Sequence, residues 1–273
     1  MPSFGWHFLF NCQFFFNLAP QKSRFMSGHN KWSTIKRKKG ALDAKRSKIF
    51  SKIIKDITIA VRESGSDPDS NPRLRLAIAN AKGASMPKEN IQRAISKGAD
   101  KDAASLQETT YEGYVHSVAV FIECTTDNLQ RTVANIRSIF NKYGGNLGTN
   151  GSLAHVFERK GVFVIPKSHI KNMDDFEMEV IDAGAEDIES DSESDIVTVT
   201  TQMEDFGIMM KKLEVLGIEP ESAQLQRIPI TTTPVENDVA LKVLKVIDMF
   251  EDDDDVQNVY HNMEMTEEIM ANL

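Results

Sequence analysis

The apolar residues of this chain change period near residue 101, and that change limits it to a mixed, multidomain architecture. From Ala41 to Ser64 the residues Ile49, Phe50, Ile53, Ile54, Ile57 and Val61 recur at helical spacing, which predicts one long amphipathic helix. Ser64, Gly65 and the DPDSNP stretch end it, because Pro68 and Pro72 cannot sit inside a helix. A second helix is expected from Pro72 to about Lys82. A third opens at Pro87, turns Ile91, Ala94 and Ile95 inward and stops at Gly98.

Beyond residue 101 the period becomes 2. Val118, Val120 and Ile122 alternate as a strand, Arg131 to Tyr143 reads as a helix closed by Gly144 and Gly145, and Ser152 to Glu158 reads as a second strand. A complete series follows: strand 161–166, helix 173–184, strands 186–190 and 195–201, helix 204–216 and strand 222–230. That βαββαβ order is the pattern of a ferredoxin-like sandwich. After a TTTP linker come a helix, Asn237 to Phe250, and a strand, Val256 to His261. The flanking pieces read βαβ and αβ, and neither closes a sheet alone, so they are expected to form one domain. The fold class is therefore α+β multidomain. A three-helix domain (26–101) precedes an α+β domain (108–158 plus 232–273) into which a ferredoxin-like domain (160–230) is inserted.

Charge divides at the same place. Residues 26–101 hold 18 Lys+Arg and 7 Asp+Glu, residues 102–273 hold 12 and 33, and the whole chain stands at -8. A local positive field survives distant acids, because screening acts over about 8 Å, so the first third suits a polyanion. The alternative is that acidic and basic domains attract each other within one molecule. Cations cluster further: Lys31, Lys36, Arg37, Lys38 and Lys39 surround Trp32, whose indole could stack on an unpaired base or anchor a core. On the long helix Lys45, Lys48, Lys52 and Lys55 fall within an arc of about 80°, opposite the apolar stripe. These ten residues are the candidate nucleic-acid-binding set, and the four helix lysines are expected to bind without supporting the fold.

Other motifs argue against catalysis. The run Gly144–Gly151 lacks the Lys-Ser/Thr of a phosphate loop and follows a helix, so it reads as a helix cap and turn. Residues 174–195 carry 11 acids and no base, and Glu251 to Asp255 are five acids in a row; neither has calcium-loop spacing, and both read as solvated faces. The six His are scattered, and Cys12 and Cys124 have no catalytic or zinc-binding spacing. No metal, cofactor or small-molecule substrate is expected. Residues 1–25 are aromatic-rich and acid-free. They lack the charge order of a secretory signal and the length of a membrane span, and read as an extension ahead of a start at Met26, or as a presequence that would direct the chain to mitochondria.

Met26-SGHNKW, DAKRSKIFSK (Asp43–Lys52), NPRLRLAI (Asn71–Ile78), MPKENIQRAISKG (Met86–Gly98), YEGY (Tyr111–Tyr114), DNLQRT (Asp127–Thr132) and GGNLGTNGSLAHVF (Gly144–Phe157) resemble the YebC family over residues 26 to about 270. Within Tyr111–His116, Val115-His116 is a loop departure from the family's pattern. The resemblance implies three domains, one inserted in another, and no enzyme activity. It also implies either a DNA-binding transcriptional regulator or a ribosome-associated translation factor that relieves stalling at proline-rich stretches. Lysine is a point charge suited to phosphates more than to base edges. The residues therefore favour a cytoplasmic, non-enzymatic regulator bound to the ribosome or its rRNA over a sequence-specific DNA binder. A protein-interaction module using the acidic domain is the third reading.

Overall fold

The computed structural model describes residues 42–100, 105–190, 194–266 and 268–269. The helices α1 (Leu42–Ser64), α2 (Pro72–Gly83) and α3 (Lys88–Ala99) bury Ile57, Ala60, Val61, Leu74, Ile91 and Ala94 against one another, so the apolar stripe of α1 finds its partners within the first third of the chain. A Cβ on Gly98 would lie 2.8 Å from the Cβ of Val61, which is why the crossing of α1 and α3 needs a glycine there. Asn71 fixes the turn before α2. Its side-chain oxygen accepts from the Leu74 amide at 3.0 Å, while its amide nitrogen donates to the Ala60 and Gly65 carbonyls at 2.6 and 2.8 Å. The residue is fully buried. Asn71→Ala removes an N-cap and strands two carbonyls, and is expected to cost about 2 kcal/mol in urea unfolding.

The strands β1 (Gln107–Val115), β2 (Val118–Thr126) and β3 (Gly145–Leu147) belong to one sheet, with α4 (Leu129–Lys142) crossing from β2 to β3. The chain then builds β4 (Phe157–Pro166), α5 (Met173–Asp182), β5 (Ala185–Ser190), β6 (Ile196–Gln202), α6 (Phe206–Val215) and β7 (Ser222–Pro229). These four strands form a second antiparallel sheet in the order β5-β6-β4-β7, which is ferredoxin-like. It returns through α7 (Asn237–Asp252) to β8 (Val256–His261), which pairs with β2 and completes the first sheet in the order β3-β1-β2-β8. The architecture is α+β and multidomain.

Alternation explains what each face of the first sheet carries. Val118, Val120 and Ile122 turn to α4 and α7 and bury Ile136, Phe140, Ile247 and Phe250, with the Phe140 and Phe250 ring centroids 4.8 Å apart. Ala119 and Phe121 turn the other way, onto Leu153, Phe157 and Tyr260. There the Arg227 guanidinium of β7 lies 3.9 Å over the Phe121 ring and bonds Glu123 at 3.2 Å, tying the two sheets together. The helical unit touches both sheets as well. Asn80 of α2 exchanges two hydrogen bonds with the Ala223 backbone of β7, and Arg73 bridges Glu63 and Glu108.

Three expectations change. Ser152 to Glu158 is not a separate strand: residues 151–156 are turns, and residues 157 and 158 begin β4. The reason is Glu112 of β1, whose buried carboxylate accepts the Gly151 and Leu153 amides at 2.8 and 2.6 Å and the Ser152 hydroxyl at 3.2 Å, drawing the backbone inward. Gln107–Val115 is a full strand that the period of its side chains did not reveal, and Gly145–Leu147 adds a short edge strand within the glycine-rich run.

Candidate nucleic-acid interface

The lysine face of α1 is turned onto the first sheet and the acidic turn that precedes β8. Lys48 Nζ lies 2.5 Å from an Asp252 carboxylate oxygen, and Lys52 Nζ donates to the Gln257 carbonyl at 2.9 Å. Lys55 Nζ donates to the Thr125 and Asp254 carbonyls at 3.0 and 2.6 Å and stands 3.6 Å from the Asp255 carboxylate. The Lys55 side chain is only 22% exposed, against 44% for Lys48. Lys52 and Lys55 therefore close the seam between α1 and the β2–β8 end of the sheet, and they support the fold, contrary to the expectation drawn from the helix alone. The run Glu251–Asp255 is likewise not a simple solvated face. Lys45 lies on α1, but its side chain is outside the described residues, as are Lys31, Trp32, Lys36, Arg37, Lys38 and Lys39.

Asp255 is the centre of that seam. Its carboxylate accepts from Arg131 Nη2 at 2.8 Å, Thr132 Oγ1 at 2.9 Å and Thr126 Oγ1 at 3.1 Å. Burial alone would raise its pKa. The bonds from Arg131, Thr132 and Thr126, with the Lys55 ammonium behind them, outweigh burial and hold the carboxyl below its usual range. Asp56, one residue beyond Lys55, shows the opposite balance. Burial pushes its pKa up to about 7, against the pull of the Arg73 charge and with a further push from Glu108. Burial also drives the Cys124 thiol up to about 12, so it is not available as a nucleophile at neutral pH.

Away from the seam the helical unit presents a second set of cations. Lys82 at the end of α2 and Lys88, Arg93 and Lys97 on α3 are exposed, interleaved with exposed Gln92 and Ser96. The described residues offer none of these four an ion pair. Glu89 and Asp100 are the acids on or next to α3. Such a surface can exchange condensed counterions for contacts to phosphates.

The chain matches two family models, described as the TACO1/YebC protein N-terminal domain over residues 30–101 and the TACO1/YebC second and third domain over residues 106–263. It belongs to the YebC family. A probable transcriptional regulatory protein of Amoebophilus asiaticus is 52% identical over 239 residues, covering 87% of this chain and 98% of that one. A protein of the same description from Geotalea uraniireducens is 50% identical over 247 residues, covering 90% and 98%. Among solved structures, a conserved hypothetical protein from Aquifex aeolicus superimposes with a TM-score of 0.78 at 40% identity, covering 87% of this chain and 98% of that one. No helix among the described residues is long and apolar enough to cross a membrane.

For this YebC-family chain the structure thus brings Lys48, Lys52 and Lys55 together, but Lys48 and Lys55 meet the chain's own acids and Lys52 a backbone carbonyl of β8. Lys82, Lys88, Arg93 and Lys97 do not form a dense run, so clustering along the sequence does not single them out. Their signal was position: on α3, Lys88, Arg93 and Lys97 all fall outside the Ile91, Ala94, Ile95 stripe that had already been assigned to the core.

Proposed function

We propose that this chain is a non-enzymatic regulator of gene expression that binds RNA, and specifically the ribosome, through its helical domain. The observation that carries the reading is the exposed cation set on α2 and α3, which no ion pair among the described residues engages and which lies in the part of the chain with a charge of +11. The segment Lys31–Lys39 with Trp32, together with Lys45 and the half-exposed Lys48, would extend that set. These side chains attract phosphate without reading base edges. That suits a large, fixed RNA shape with unpaired bases to stack on. The finer role, relief of stalling at proline-rich stretches in the cytoplasm, rests on the family resemblance. The second reading is a DNA-binding transcriptional regulator, favoured by the description that relatives at about 50% identity carry.

Competition binding decides between them. Single-stranded RNA or ribosomal RNA is expected to outcompete random-sequence DNA duplex. Changing Lys88, Arg93 and Lys97 to Gln should shallow the salt slope by about 0.7 per lost phosphate contact on single strands, with unchanged unfolding. A DNA site preferred over random duplex by roughly 10³ or more would favour the transcriptional reading.

A further inference from the structure

The ferredoxin-like domain buries one side of its two helices and leaves the other uncovered. Phe176 and Val180 of α5 and Met209 and Leu213 of α6 turn into one core with Phe163 and Ile165 of β4, so both helices lie on the same side of the second sheet. They lie side by side there, because Lys212 Nζ of α6 stands 2.6 Å from a Glu179 carboxylate oxygen of α5. Among the described residues ten large apolar side chains are exposed, and these two helices hold four of them: Met178, Ile181, Ile208 and Val215. Single exposed apolar residues are ordinary on a protein surface, but such a concentration marks a contact surface.

Helical spacing places these side chains around one furrow. Met178, 61% exposed, points directly away from the Phe176 and Val180 side of α5. Ile208 and Val215, 56% and 83% exposed, stand on the flank of α6 that also carries Lys212, which is the flank turned to α5. Asp175 and Asp182 occupy the matching flank of α5 on either side of Glu179, and both are exposed. Asp182 is near enough to act on the Lys212 ammonium. The Glu179 and Lys212 pair is therefore the floor of a furrow with carboxylates along one wall, apolar side chains along the other and Met178 at the lip. The two helices carry six acids and two bases, and Glu179 already holds one of the bases. Phosphates of RNA or of an anionic lipid surface would meet those acids and be repelled. A basic amphipathic helix fits, with its cations against the aspartates and its apolar stripe against Met178, Ile208 and Val215.

We propose that the furrow between α5 and α6 is a docking surface for a basic amphipathic helix of a partner protein. This goes beyond the RNA reading, which concerns the helical domain, and does not depend on it. The test uses the full chain and two labelled peptides of about 18 residues with the same Leu and Lys composition, one with Leu at i, i+3, i+4 and i+7 spacing and one scrambled. The first should bind at least about tenfold more tightly than the scrambled one near 0.15 M salt. Met178→Gln with Ile208→Gln and Val215→Gln should weaken it by about tenfold. Asp175→Asn with Asp182→Asn should weaken it by about fivefold and flatten its salt dependence. Leu241→Gln, at an exposed apolar residue of α7, should change nothing. All the substituted side chains are exposed, so melting should not move. If the apolar variant melts lower, the aspartate variant decides. Binding to ribosomal RNA should not fall in either variant, which separates this proposal from the RNA reading; a fall would overturn the assignment of the furrow to protein. The proposal is equally overturned if the scrambled peptide binds as tightly, because charge alone then suffices, or if both variants bind the peptide as the parent does. It is also overturned if the parent sediments as a dimer that the apolar variant turns into a monomer, because a second copy is then the occupant.

Discussion

Asp255→Ala is expected to lower stability by about 3 kcal/mol, although the residue lies in a run of five acids that would ordinarily be dismissed as solvated surface. Removing the carboxylate leaves the Thr126 and Thr132 hydroxyls fully buried without their charged acceptor and takes the counter-charge from Lys55. Arg131 is half exposed and can turn to water, so its share is discounted. Asp255→Asn keeps an acceptor and should lose about half as much. The folded-state pKa of Asp255 is depressed, so its contribution is complete above the unfolded value near 4 and is lost as pH falls through the folded value. Urea unfolding at pH 7 and at pH 3 checks this: the gap between parent and Asp255→Ala should be wide at pH 7 and narrower at pH 3. An equal gap at both would mean that packing, and not charge, is lost.

Asp56→Asn should do the reverse and stabilise the protein. The Asp56 pKa is raised to about 7, so the folded state binds a proton that the unfolded chain releases near pH 4. The resulting cost is absent below about pH 4, grows between pH 4 and 7 and is complete above 7. Its size follows from about three pKa units and amounts to about 2 to 4 kcal/mol. Asn has the same shape and no charge, so Asp56→Asn should raise the melting temperature at pH 8 by several degrees and leave it almost unchanged at pH 4. A variant no more stable than the parent at pH 8 would show that water or a neighbouring cation already satisfies the ionised carboxylate.

Both predictions concern groups whose environment comes from far along the chain, and that is where the sequence stops being legible. Local periodicity carried the helices and the βαββαβ order, and the closing strand Val256–His261 lies where the sequence places it. It failed at Gln107–Val115, because QETTYEGYV opens on four polar residues with no apolar alternation and is held in register by β2 on one side and β3 on the other. It failed again at residues 151–156, where one carboxylate from β1, about 40 residues earlier, overrides the strand-like pattern. The α1 lysines teach the same lesson for the site. A helical wheel shows which side is not apolar, but not that Asp252, Asp254 and Gln257, some 200 residues away, occupy that side. The alternative that basic and acidic parts attract one another within the molecule describes Lys48 and Lys55, while Lys52 is held by a backbone carbonyl of β8. The polyanion reading remains with Lys82, Lys88, Arg93 and Lys97.

Ribosome co-sedimentation from cell lysate, with and without ribonuclease and over a salt series, tests the central claim most directly. The account predicts that the chain sediments with ribosomes at about 0.15 M salt, leaves them progressively as salt rises, and is released when ribonuclease degrades the RNA. The Lys88, Arg93 and Lys97 to Gln variant should leave at lower salt than the parent. A chain that stays at the top of the gradient at physiological salt, while binding one DNA site at least about 10³ more tightly than random duplex, would contradict the account.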